Sequence, residues 1–204
     1  MEFKKRTSAK HLAEATAESA RKDVLAYLHD IACLLAVVIL LFTICFRVVV
    51  VSGPSMNDTL VNGDWLFLLS NLTAGEIRQG DIIVASKESF KNGEPIIKRV
   101  IATEGQVVDI DFNAGIVYVD SQPLNEPYTL TPTNIQEGVS FPCTVEPGCI
   151  FVMGDNRNES LDSRSNQIGL IDKREVVGKA VFVLFPGKDD RHPIRDFNRI
   201  GVLS

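Results

Sequence analysis

From residue 31 to residue 46 every side chain is apolar except Thr43, and none is charged. No other feature of the 204-residue chain limits its fold as strongly. A helix over this run is ~24 Å long at ~1.5 Å per residue, short of a ~30 Å hydrocarbon core, and residues 24–28 before it and 48–51 after it can complete a span. His29, Asp30 and Arg47 then fall near the two interfaces, where polar tips reach headgroups. A core helix of this length would have no polar face to show to water. A cleavable export signal would begin nearer the N-terminus and end in a small-x-small site, whereas Cys45-Phe46-Arg47 follows here. The run reads as one membrane anchor over residues 31–51, with a segment 1–30 before it and a domain 52–204 after it.

Charge orients the anchor. Residues 1–47 hold seven basic and five acidic groups, net +2, including Lys4, Lys5, Arg6, Lys10, Arg21 and Lys22. Residues 48–204 hold 14 basic and 21 acidic groups, net −7. The positive-inside tendency keeps the first segment in the cytoplasm and the large domain outside. An acidic domain is a poor candidate for binding nucleic acid. Cys33 and Cys45 lie in the apolar run and read as packing residues. Cys143 and Cys149 lie in the exported part, where a bridge across "CTVEPGC" and a pair of free thiols are both open.

Residues 7–22, rich in Ala, Glu and Lys, read as a solvated helix or as disorder. Beyond the anchor come short β-prone runs between turn residues: "DWLFLL", "DIIVAS", "PIIKRVIAT", "QVVDIDF", "GIVYVD", "CIFVM" and "EVVGKAVFVLF". About eight strands without helical periodicity predict a mainly β, antiparallel domain, with a hairpin at "NAG". Residues 121–142 hold four prolines and read as a surface excursion.

Histidine is scarce, and this narrows the chemistry. His11 and His29 precede the anchor, so a Ser-His-Asp triad could use only His192, in the polar tail "GKDDRHPIR". A zinc site with two or more histidines is excluded from the exported domain. A nucleophilic serine without histidine needs another base, and lysine is the usual substitute. Such a lysine must lose its proton near pH 7 against a free value near 10.4, and burial among apolar groups favours that loss. Lys98 sits within the apolar run "PIIKRVIA", whereas Lys87, Lys91, Lys173, Lys179 and Lys188 lie beside turns or other charges. On this stretch alone Lys98 is equally well read as an edge-strand guard against aggregation. A third stretch, "MGDNRNESLDSR", is either a solvated charged loop or a polar knot tied by an Asp162–Arg164 pair.

In this order, "GPSMNDTL", "GDWLFL", "GDIIV", "IIKRVIATEGQVV" and "FVMGDNRNESLDSR" resemble the bacterial type I signal peptidases, also called leader peptidases. The likeness runs from about residue 48 to 185. It implies a β-sheet catalytic domain of signal-peptidase type resting on the membrane, with no metal and no organic cofactor. It also implies secretory preproteins as substrates, cut after small residues at −1 and −3, and a monomer in the cell membrane. Carried over by position, Ser55 is the nucleophile, Lys98 the general base, and Ser160 a hydrogen-bonding partner that orients Lys98. Asp162 and Arg164 pair to hold their loop, and Asp155 and Asn156 shape its turn. Val51, Met56, Leu60, Ile96 and Ile97 match the pocket walls. Two positions depart from the pattern. Asp58 replaces a usual proline and brings a carboxylate that either raises the pKa of Lys98 or faces solvent. Gly53 replaces an oxyanion-binding serine of some members, leaving the Ser55 and Gly53 amides as candidate donors.

Overall fold

The computed structural model describes residues 2–88 and 90–203, with side chains from residue 21 onward except at Lys91. The chain forms two compact units, Met1–Ile44 and Cys45–Ser204.

The first unit is one helix, α1, whose hydrogen bonding runs Glu2–Cys45. Within it Arg21–Cys45 is long enough to cross a membrane, and its most apolar 18-residue window has a mean hydropathy of 2.5 and is not buried inside the protein. Those 25 residues are ~37 Å long, enough for a span without residues beyond Cys45. The expectation that residues 48–51 complete the span is corrected. Phe46–Val50 form a strand, β1, consistent with the β-branched valines there.

The second unit is mainly β and antiparallel. After β1 come β2 (Trp65–Ser70), β3 (Ile82–Ala85), β4 (Ile96–Thr103), β5 (Val107–Asp111) and β6 (Ile116–Val119). Then follow β7 (Gln122–Pro123), β8 (Cys143–Thr144), β9 (Cys149–Met153), β10 (Ile171–Asp172), β11 (Val176–Phe185) and β12 (Gly201–Val202). The larger sheet has the order β1-β2-β11-β3-β4-β9-β10, with β12 paired to β11, and the smaller one the order β7-β6-β5-β8. The strands absent from the sequence reading are β1 and four two-residue pairings, too short to leave a period-2 pattern. The "NAG" turn does join β5 to β6, and Gly115 there has φ +72 with no room for a side chain against Pro132.

Three placements prepare the site. β1 and β2 form an antiparallel pair joined by the long loop 51–64, closed by Val51 N–H to Asp64 O (2.9 Å) and Gly63 N–H to Val51 O (2.8 Å). Met56 and Leu60 anchor this loop in a core cluster with Leu66, Leu68, Ile82 and Val84. β4 lies inside the larger sheet between β3 and β9, so Lys98 is on an interior strand and the edge-guard reading fails. Finally, Arg99 is paired with Met153, so the loop that starts at Gly154 leaves the sheet beside Lys98.

Candidate active site

Lys98 is 4% exposed, and its Nζ is hydrogen-bonded to Ser55 Oγ at 2.9 Å. Burial removes the hydration that a charged amine needs, and its pKa falls from 10.5 to about 8. The carboxylates of Asp162, Glu137 and Asp155 pull it back up, while Arg164 pushes it further down. The result is an amine that is half neutral near pH 8, beside a half-buried hydroxyl.

The serine loop is clamped from the 154–164 loop. Asn156 N–H donates to Ser55 O (3.0 Å), and its Nδ2 donates to Pro54 O (3.2 Å). Asp155 accepts both arms of Arg99 (2.9 and 2.8 Å) and the Thr59 hydroxyl (2.6 Å), tying β4 to the serine loop through one carboxylate. Asp162, 0% exposed, accepts the Gly154 amide (3.0 Å), the Ser160 hydroxyl (2.8 Å) and the Arg164 guanidinium (2.8 and 2.9 Å). Arg164 also donates to Arg157 O and Ser160 O. Charges this deep are tolerable only when paired and fully hydrogen-bonded, so the stretch is a polar knot and not a solvated loop.

Several carried-over roles look different in detail. Ser160 donates to Asp162, and the hydrogen bond of Lys98 goes to Ser55. The Gly53 amide donates to Asn62 Oδ1 (3.0 Å), which corrects its assignment as a free oxyanion donor. The Ser55 amide has no acceptor among the described residues. Asp58 is half exposed and faces Arg191 (3.7 Å) and His192 (3.8 Å) in the tail; it is not among the charges that act on Lys98. His192 itself is bound to Asp189 (3.1 Å), away from the serine.

A groove of about 410 Å³ runs past the Ser55–Lys98 pair, walled by Val51, Met56, Ile96 and Ile97. Leu60 does not reach it; fully buried, it belongs to the core beneath, which corrects its placement as a wall residue. Val84, Phe90 and Leu161 also line the groove, and single positions on three separate elements leave no pattern to read.

Other functional neighbours were missed because residues 121–142 read as a surface excursion. Glu126 pairs with Arg157, Tyr128 lies under Arg99 (3.9 Å), and Glu137 approaches Arg164 (3.7 Å). Glu137 Oε2 is buried without a hydrogen-bond partner among the described residues, and burial with the nearby Asp162 raises its pKa. Gly154 was missed as well. A Cβ there would lie 2.2 Å from Ser160 Oγ and 2.5 Å from Ser55 O, so only glycine permits this approach. Cys143 and Cys149 are free thiols. Among the described residues no group of three or more His, Cys, Asp or Glu side chains could hold a metal ion.

The model of the family described as signal peptidase, peptidase S26, matches residues 24–185. The chain belongs to that family. It is 36% identical over 169 residues to a signal peptidase I of Bacillus licheniformis, covering 79% of this chain and 87% of the relative. It is 35% identical over 189 residues to signal peptidase I T of Bacillus subtilis (strain 168), covering 86% and 94%. A solved signal peptidase I of Enterococcus faecalis V583 aligns with 52% of this chain and 98% of its own, at 26% identity and a TM-score of 0.44. Family and relatives agree on the enzyme type, a signal peptidase I.

Proposed function

We propose that this chain is a membrane-anchored serine endopeptidase that removes N-terminal signal peptides from exported preproteins, with Ser55 as nucleophile and Lys98 as general base. The 2.9 Å contact between a hydroxyl and a buried amine of lowered pKa carries the reading. The neutral amine accepts the Ser55 proton as Oγ attacks the carbonyl, then passes it to the leaving amine. The same lysine next deprotonates the water that hydrolyses the acyl-enzyme. The Ser55 amide, without an acceptor among the described residues, is the donor left for the oxyanion.

The apolar groove supports the substrate assignment. Its walls favour small uncharged side chains before the cut bond, at −1 and −3 of a signal sequence. The anchor supports the location. Helix Arg21–Cys45 leaves its apolar surface uncovered by protein, a surface suited to lipid, and the basic residues before it favour a cytoplasmic N-terminus. Ser55 follows the helix by ten residues, which keeps the nucleophile near the depth at which a signal peptide leaves the bilayer. The enzyme acts as a monomer in the cell membrane, with its catalytic domain on the outer side.

The test is cleavage of a purified preprotein by the full chain in detergent. Cleavage at one site is expected, and Ser55→Ala, Lys98→Met and Lys98→Arg should each abolish it, the last because guanidinium stays charged. Full activity in any of the three refutes the dyad.

A further inference from the structure

The chain contains a second cleft, of about 730 Å³, also bordered by the serine loop. It shares Gly53 and Pro54 with the apolar groove, the two residues immediately before Ser55. The two cavities therefore adjoin at the segment that leads into Ser55. The second cleft is more polar than the groove. Glu159, Asp189 and Asp190 contribute three carboxylates against Lys188 and Arg191, and Arg191 is turned toward the Asp58 carboxylate.

The wall of the cleft also holds an unmet acceptor. Asn57 is 1% exposed; its Nδ2 donates to Asp189 (3.1 Å), while its Oδ1 has no donor among the described residues. Excess carboxylate and a spare carbonyl oxygen both call for a ligand rich in N–H groups and positive charge. The leaving half of a cut peptide is such a ligand, since its first nitrogen departs as an amine and becomes an α-ammonium.

We propose that this cleft binds the amine half of the substrate, the first residues of the mature protein, and disfavours acidic side chains there. The inference rests on the peptidase reading above. Binding the two halves in chemically different clefts fixes the direction of the chain across Ser55: the apolar half lies along Val51 and Ile96, the polar half along Asp189 and Asp190.

The experiment uses three peptides, identical except for Lys, Ala or Glu at the second residue after the cut bond. With the full chain at low salt, kcat/KM should fall in that order, by about 2- to 5-fold between Lys and Glu, the range for an exposed charge pair. The spread should shrink as salt is added. Asp190, exposed and without a side-chain partner among the described residues, is the charge to change. Asp190→Asn should narrow the ratio and Asp190→Lys should reverse it, with the Ala peptide as internal reference. Equal constants for all three peptides in the wild-type chain, or an unchanged ratio in Asp190→Lys, would overturn the inference and leave the peptidase intact. Cleavage of none of the three would refute the peptidase reading itself.

Discussion

The pKa of Lys98 makes a quantitative prediction about pH. At about 8, roughly one amine in eleven is neutral at pH 7; at the free value of 10.5 it would be about one in 3,000. Burial thus raises the working base ~300-fold. Below pH 8, kcat/KM should fall about tenfold per unit, with a midpoint near 8. Glu137→Gln probes what sets that midpoint. The carboxylate raises the pKa of Lys98 and its Oε2 accepts no hydrogen bond, so the amide removes charge at little structural expense. Asp162, Asp155 and Arg164 remain as the other charges that act on the amine. One charge several Å away at an effective dielectric constant of about 20 is worth about one to two pH units, so the limb should move down by that much. The plateau should fall too, because the ammonium formed when Ser55 gives up its proton loses a counter-charge. The assay is initial-rate cleavage of a peptide from pH 5.5 to 10 in a constant-ionic-strength buffer. A limb that stays in place or moves upward in Glu137→Gln would refute this account of the electrostatics.

Four further outcomes follow from the same geometry. Lys98→Met should be inactive yet more thermostable at pH 7, by roughly 3 kcal/mol at most, since the wild-type fold carries a buried ammonium that the unfolded chain hydrates freely. The folded pKa lies below the unfolded one, so wild-type stability rises with pH between about 8 and 10.5 and the gap closes there; a constant gap in thermal melts would contradict the linkage. Gly154→Ala should reduce kcat on the order of 10²-fold, because its methyl must displace Ser55 O or Ser160, and wild-type rates would disprove the close approach. Asp155→Ala, which strands Arg99 in the interior, should cost about 3–5 kcal/mol in denaturant unfolding. Asp58→Asn should leave the pH limb where it is, because Asp58 faces the tail and not Lys98; a shifted limb would show otherwise.

Much of this was legible in the sequence wherever the signal was local. The apolar run had the length and composition of one long helix, and the alternating runs on either side of "NAG" had to pair as antiparallel strands. The helix boundary was not legible: valine suits lipid and strand alike, and only the pairing of Val48 with Phe67 decides between them. Hydrophobicity likewise marked Leu60 as buried without saying whether it faces the groove or the core.

The sequence alone determined the residue types: a hydroxyl after Gly-Pro, one lysine in an apolar run, no histidine beyond the long apolar run except in the tail, and a string of alternating charges. Their roles depend on distances between positions far apart in the chain, and only the tertiary structure sets those. Ser55 and Lys98, 43 residues apart, meet because Asn156 clamps the serine loop and Asp155 ties Arg99 to Thr59. Burial, which turns Lys98 from a surface charge into a base, likewise belongs to the packed sheet and not to any segment of it. A pKa is the difference between two environments, and a chain has only one of them, water, until it folds.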